Sequence, residues 1–154
     1  MNSYEALLDE CKSNNIQVIE KKFKSNACGL WKDNKIGIST KLTTIPEKNS
    51  ILAEELGHYY TSYGNIVNLN DLRNVKQEKR ARNWAYRKLV PLHKLIDVFN
   101  LRLKTRFEIA DYMGVTEEFL DDAIKYYRQK YGTHFEIDDY IIYFEPTFGV
   151  LKVF

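Results

Sequence analysis

Apolar residues recur at helical spacing over most of this chain and alternate over a few short stretches, which predicts a mostly helical α+β protein. Tyr4, Leu7, Leu8 and Cys11 mark a first helix over about Ser3–Lys12 that ends near Asn14-Asn15. Ile16-Gln-Val-Ile19 then reads as a short β segment, and Gly29-Leu-Trp31 and Ile36-Gly-Ile38 flank the turn pair Asp33-Asn34 as a hairpin. A second helix starts after Thr44-Ile-Pro46, with Pro46 in the first turn where its missing N–H costs nothing, and is expected to stop at about Tyr63-Gly64. A polar loop over 65–70 leads to a helix from about Asp71 to Leu89, closed by Pro91, with further helix from His93 to Phe99. Thr105-Arg-Phe-Glu108 is a capping-box pattern and opens a helix that Gly114 stops. Thr116, followed by Glu117 and Glu118, caps the last helix, which reaches Tyr131-Gly132. Tyr140–Phe144 and Val150–Phe154, on either side of Pro146-Thr-Phe-Gly149, are expected to form a second hairpin.

The chemistry concentrates in the second helix, in Ile51-Leu-Ala-Glu-Glu-Leu-Gly-His58. At about 100° per residue, Ile51, Glu54, Glu55, His58 and Ser62 share one arc of this helix, while Leu52, Leu56, Tyr59, Tyr60 and Tyr63 share another. Glu54 and His58 lie roughly 40° apart, the placement of two metal ligands four residues apart, and Glu55 flanks them as a base. Gly57 costs about 1 kcal/mol in mid-helix relative to alanine, so another backbone is expected to pass close to it. In the next helix Glu78 heads a stripe of Ala81, Ala85, Leu89 and Leu92, whose small alanines would let the two helices approach closely. A carboxylate at the edge of a buried face needs a partner, and a metal shared with Glu54 and His58 would supply one. The same residues admit a plainer reading, in which Glu-Glu-x-x-His lies on a solvated face and Glu78 pairs with Lys79 or Arg82. His93 and His134 have no ligand spacing to anything nearby and read as structural or surface residues.

Composition bounds these readings. With 154 residues, 44% of them apolar, the chain can build the core of one domain over 1–154, divided into a core over about 16–100, a helix-turn-helix-like pair over 105–131 and a terminal β segment over 135–154. A net charge of +2 gives no global argument for nucleic acid or membrane. The helical pair would present Glu117, Glu118, Asp121 and Asp122 where a reader of bases needs cations, so direct nucleic-acid binding is not expected. The basic run Arg73, Lys76, Lys79, Arg80, Arg82, Arg87 and Lys88 spreads around its helix as a solvated surface. No signal-peptide pattern or membrane-length apolar run is present, and Cys11 and Cys28 lack ligand or redox spacing, so a cytoplasmic protein with free thiols is expected.

Ile51 to His58, the Glu78-x-x-Ala81-x-x-Trp84-Ala85-x-x-x-Leu89-Val90-Pro91 pattern and Glu108-Ile-Ala-Asp-Tyr-Met-Gly-Val-Thr116 together resemble the ImmA/IrrE family of metallopeptidases, over about Gly29 to Gly132. The resemblance implies a compact zincin-like α+β fold, with a divalent metal held by Glu54, His58 and Glu78 and with Glu55 as the catalytic general base. It implies zinc first, with manganese or another ion possible because Glu54 stands where the family carries the first His of His-Glu-x-x-His. An added carboxylate donor brings negative charge and a harder oxygen, which should weaken the acidification of water at the site. The implied role is that of an endopeptidase that cleaves a helix-turn-helix transcriptional repressor of a phage or mobile element. The alternative is a catalytically impaired relative that binds a repressor or other phage protein without cutting it.

Overall fold

The computed structural model describes residues 2–62 and 72–154. The described elements run α1 (Ser3–Ser13), β1 (Gln17–Lys21), β2 (Gly29–Lys32), β3 (Lys35–Ser39), α2 (Ile45–Thr61), α3 (Leu72–Leu89), α4 (Leu92–Asn100), α5 (Arg106–Met113), α6 (Glu117–Tyr131), β4 (His134–Ile137), β5 (Tyr140–Tyr143) and β6 (Gly149–Lys152). The expected helix stop at Gly64, the loop over 65–70, Tyr63 and Asp71 lie outside the described residues. None of the helices is long and apolar enough to cross a membrane.

Local chemistry accounts for most boundaries. The Asn2 side chain accepts from the Glu5 amide and opens α1, and Thr44 does the same for Glu47 at the head of α2, where Pro occupies the first turn. Thr105 accepts from the Glu108 amide at 3.0 Å and Thr116 from the Phe119 amide at 3.0 Å, starting α5 and α6. Between them Gly114 takes a left-handed φ of 74°, which closes α5. Helix α2 ends at Thr61, earlier than its apolar periodicity suggests. The Thr61 hydroxyl donates to the Gly57 carbonyl at 2.7 Å and Ser62 turns to extended backbone.

Strand order in the first sheet is β1-β3-β2. β1 runs parallel to β3, with Val18 opposite Ile36, and β2 pairs antiparallel with β3, with Leu30 opposite Gly37. The expected hairpin therefore forms, and β2 is left as an edge. The expected C-terminal hairpin forms as β5 and β6, and β4 adds a third strand that was not expected, giving an antiparallel sheet of order β4-β5-β6. His134–Ile137 alternates exposed and half-buried positions and pairs with β5 through a turn in which Asp138 has φ 51°. Four residues directly after a helix stop are too few for periodicity to declare a strand.

Helix α2 is central to the core. Leu52, Ala53 and Leu56 are buried on it, against Ile36 and Ile38 of β3 and Leu7 and Cys11 of α1. Tyr60, expected on the apolar arc, is exposed instead; its ring packs on Trp84 and its hydroxyl donates to Glu10 at 3.2 Å. Asn49, fully buried, donates through Nδ2 to Ser3 Oγ at 2.9 Å and to the Gly114 carbonyl at 2.8 Å, tying α1 and the α5–α6 turn to α2. Tyr127 donates to the Val90 carbonyl at 2.7 Å and docks α6 on the end of α3. Cys11 is buried, Cys28 exposed, and both are free thiols. His93 and His134 lie at the surface.

Candidate metal centre

Two glycines set the geometry of the site. A Cβ on Gly57 would press into the Ala81 backbone carbonyl, so the close approach of α2 and α3 requires glycine on one helix as well as small residues on the other. Ala81 and Ala85 are fully buried in that seam. A Cβ on Gly29 would lie 2.6 Å from Ile51 Cγ2 and 2.8 Å from Glu55 Oε1, so β2 passes directly over the face of α2 that carries Glu55.

The close helix approach brings His58 and Glu78 together. His58 is 6% exposed, and its Nε2 stands 3.2 Å from Glu78 Oε1. On the other side of the ring Nδ1 is 3.3 Å from Ser62 Oγ, and the Trp31 ring stacks nearly parallel to the imidazole at 6.1 Å. Trp31 is itself held by its indole N–H, which donates to the Asp33 carbonyl. Burial pushes the His58 pKa down, but the hydrogen bond to Glu78 and the surrounding carboxylates outweigh it and the net shift is upward. Glu78 moves the opposite way, below the usual carboxylate range, because the hydrogen bond from His58 prevails over burial.

Glu54 and Glu55 are half-buried, and neither has a hydrogen bond or ion pair among the described residues. Burial raises the Glu55 carboxyl to about 7, with His58 opposing and Glu54 and Glu78 adding to the rise. Burial also raises Glu54, with Arg82 opposing and Glu78 adding. The two therefore sit in one electrostatic neighbourhood with His58 and Glu78, and among the described residues no cation is ion-paired with either, although Arg82 acts on Glu54 through charge.

His58 and Glu78 are of the types, and at the separation, of two ligands of one divalent ion. Two ligands of one tetrahedral ion with bonds of about 2.0–2.1 Å lie roughly 3.3 Å apart, and the His58–Glu78 separation of 3.2 Å is of that size. A buried imidazole whose second nitrogen faces a hydroxyl, beside half-buried carboxyls, offers the donor types of a metal site. Among the described residues no three His, Cys, Asp or Glu side chains are grouped closely enough to hold an ion as they stand. Glu54 is coupled to the pair through charge and also lines a cavity of about 210 Å³ with Glu47, Glu118 and Asp122. The sequence pattern gives no sign of Ser62 as a partner of the His58 ring or of Trp31 as its stacking wall, whereas Arg82, expected as a possible partner of Glu78, acts on both Glu54 and Glu78 through charge. Nothing in local spacing links Trp31 to His58, although Ser62 already stood on the same helical arc.

The helix-borne His-and-carboxylate pair, the strand over it and the α+β architecture define a metallopeptidase-like domain of zincin type. The chain belongs to the Peptidase_M78 family: the model of the IrrE N-terminal-like domain matches residues 11–125, well over half its length. No curated protein and no solved structure matched.

Proposed function

We propose that this protein is a metal-dependent endopeptidase whose ion is held by His58, Glu78 and Glu54, with Glu55 as general base. The observation that carries the reading is the buried His58 at 3.2 Å from Glu78, on a helix whose next carboxyl, Glu55, lies under the edge strand β2. A divalent ion, when bound, supplies Lewis-acid polarisation of a peptide carbonyl and makes water more acidic. Zinc is the first choice, with manganese next because Glu54 contributes oxygen where imidazole would contribute nitrogen.

Glu55 does the proton work. Its carboxylate takes a proton from the attacking water and hands it to the leaving amine as the C–N bond breaks. A pKa of about 7 suits a group that must both accept and release a proton near neutral pH. Ser62 accepts from Nδ1–H of His58 and so keeps Nε2 directed at the site, and Trp31 shields that ring from water. An extended substrate adds as a strand to the open edge of β2, where main-chain pairing positions a peptide without reading its side chains.

The substrate is a helix-turn-helix transcriptional repressor of a phage or mobile element, cleaved in the cytoplasm; the family resemblance supports this, and the carboxylates at the start of α6 disfavour direct binding of nucleic acid by the protein itself. The test is metal content of protein purified without chelator, followed by incubation with the repressor encoded by the neighbouring gene. Stoichiometric metal, lost in His58→Ala, together with a defined cut in the repressor is the expected result. A stable complex with the repressor, without metal and without cleavage, would replace the enzyme by a non-cutting binder.

A further inference from the structure

Beside Glu78 a groove of about 580 Å³ opens between α3 and α6. Its lining carries three cations, Lys79 and Arg82 from α3 and Lys125 from α6, against the carboxylates of Glu78 and Asp122. Over the lining that is three cations against two carboxylates, a net of +1, and Glu78 is hydrogen-bonded to His58.

Elsewhere on the chain some cations are held in ion pairs. Lys48 bridges Glu20, Lys88 bridges Glu10, Arg106 bridges Asp121 and Arg128 bridges Glu145. Lys79, Arg82 and Lys125 have no ion-pair partner among the described residues. A concave wall focuses the field of such charges and favours an anion. The amides of Asn83 and Gln129 and the rings of Tyr86 and Tyr126 add hydrogen-bonding and apolar surface on which the backbone and side chains of a polypeptide can rest between the cations.

We infer that this groove is a substrate subsite for an acidic segment of the polypeptide, with Lys79, Arg82 and Lys125 receiving Asp or Glu side chains beside the cut. The inference deepens the peptidase reading, and it rests on that reading only for the adjacency of groove and reacting centre.

The experiment uses the full-length protein and two fluorescein-labelled peptides of equal length, one rich in Asp and Glu and one with Asn and Gln at the same positions. Binding is followed by anisotropy and cleavage by mass spectrometry. The acidic peptide is expected to bind at least about tenfold tighter than its amide counterpart. Lys125→Glu should remove that preference, whereas Lys152→Glu, on β6 and outside the groove, should leave it in place. Equal binding of the two peptides, or equal effects of the two substitutions, overturns the proposal, as does tighter binding of duplex DNA that Lys125→Glu abolishes. Preferential binding without cleavage would sink the peptidase reading while keeping the groove. Equal cleavage of both peptides would keep the peptidase and discard the groove.

Discussion

The α5–α6 pair and the α2–α3 pair are both built from two packed helices, yet they obey local rules to very different degrees. In α5–α6 each start has a hydroxyl cap, Gly114 supplies the left-handed stop and Arg106 reaches Asp121 at 2.8 Å. In α2–α3 a glycine interrupts a helix, and among the described residues two half-buried carboxyls have no hydrogen bond or ion pair and the buried Asn49 leaves its Oδ1 without a hydrogen bond. Each of those departures costs stability on its own. Proteins tolerate local conflict where function requires it, and here the glycine and the two carboxyls lie on the helix face and seam that carry His58.

Substitutions can break or sharpen this contrast. The largest effect is expected from Glu55→Gln, which should lower the rate of repressor cleavage by at least about 100-fold with metal content unchanged, measured by single-turnover gel assay and metal analysis. Full cleavage by that variant would place the base elsewhere. Gly57→Ala should destabilise by about 3 kcal/mol in urea unfolding, because the Ala81 backbone cannot yield without moving α3. Gly114→Ala, at a positive φ and with its Cβ 3.0 Å from Ser3 Cβ rather than against backbone, should cost about 1–2 kcal/mol, and a cost equal to that of Gly57→Ala would erase the distinction.

A third prediction concerns pH in chelator-treated protein. The folded Glu55 carboxyl titrates near 7 rather than 4.5, so its protonated form is favoured by the fold. Its contribution is fully present below the unfolded pKa and is lost as pH rises through about 7, a swing on the order of 2–3 kcal/mol. Glu55→Gln should therefore gain stability relative to the wild type between about pH 5 and pH 8 in the absence of metal. An unchanged difference across that range would mean that Glu55 is solvated. The smallest effect is expected from Thr116→Ala, which should cost about 1 kcal/mol through its cap on α6 and leave metal content and cleavage intact.

Most of the helical frame was legible because it is written in short-range chemistry. Thr105, Thr116 and Gly114 mark their helix ends by side-chain hydrogen bonds and backbone preference that act within four residues. β4 was missed because four alternating positions carry little periodic signal and its strand identity comes from pairing with β5. The end of α2 falls at Thr61, where Ser62 turns to extended backbone just before the expected stop, a turn that periodicity does not register. At the site, Gly57 announced a close backbone and the alanines of α3 announced which one. The stacking of Trp31 on His58 links residues 27 positions apart, beyond any spacing rule.

The sequence by itself determined which residues of α2 and α3 share a face, because helical geometry fixes that within a few turns, and it placed Glu54, Glu55, His58 and Glu78 as one set. Only the tertiary structure decided how that set divides. The Gly57–Ala81 approach brings Glu78 to the His58 ring, while Glu54 turns toward the acidic cavity beside α6 and Glu55 lies beneath Gly29. Those outcomes depend on where separate elements pack, and packing is set by long-range burial that no local pattern encodes.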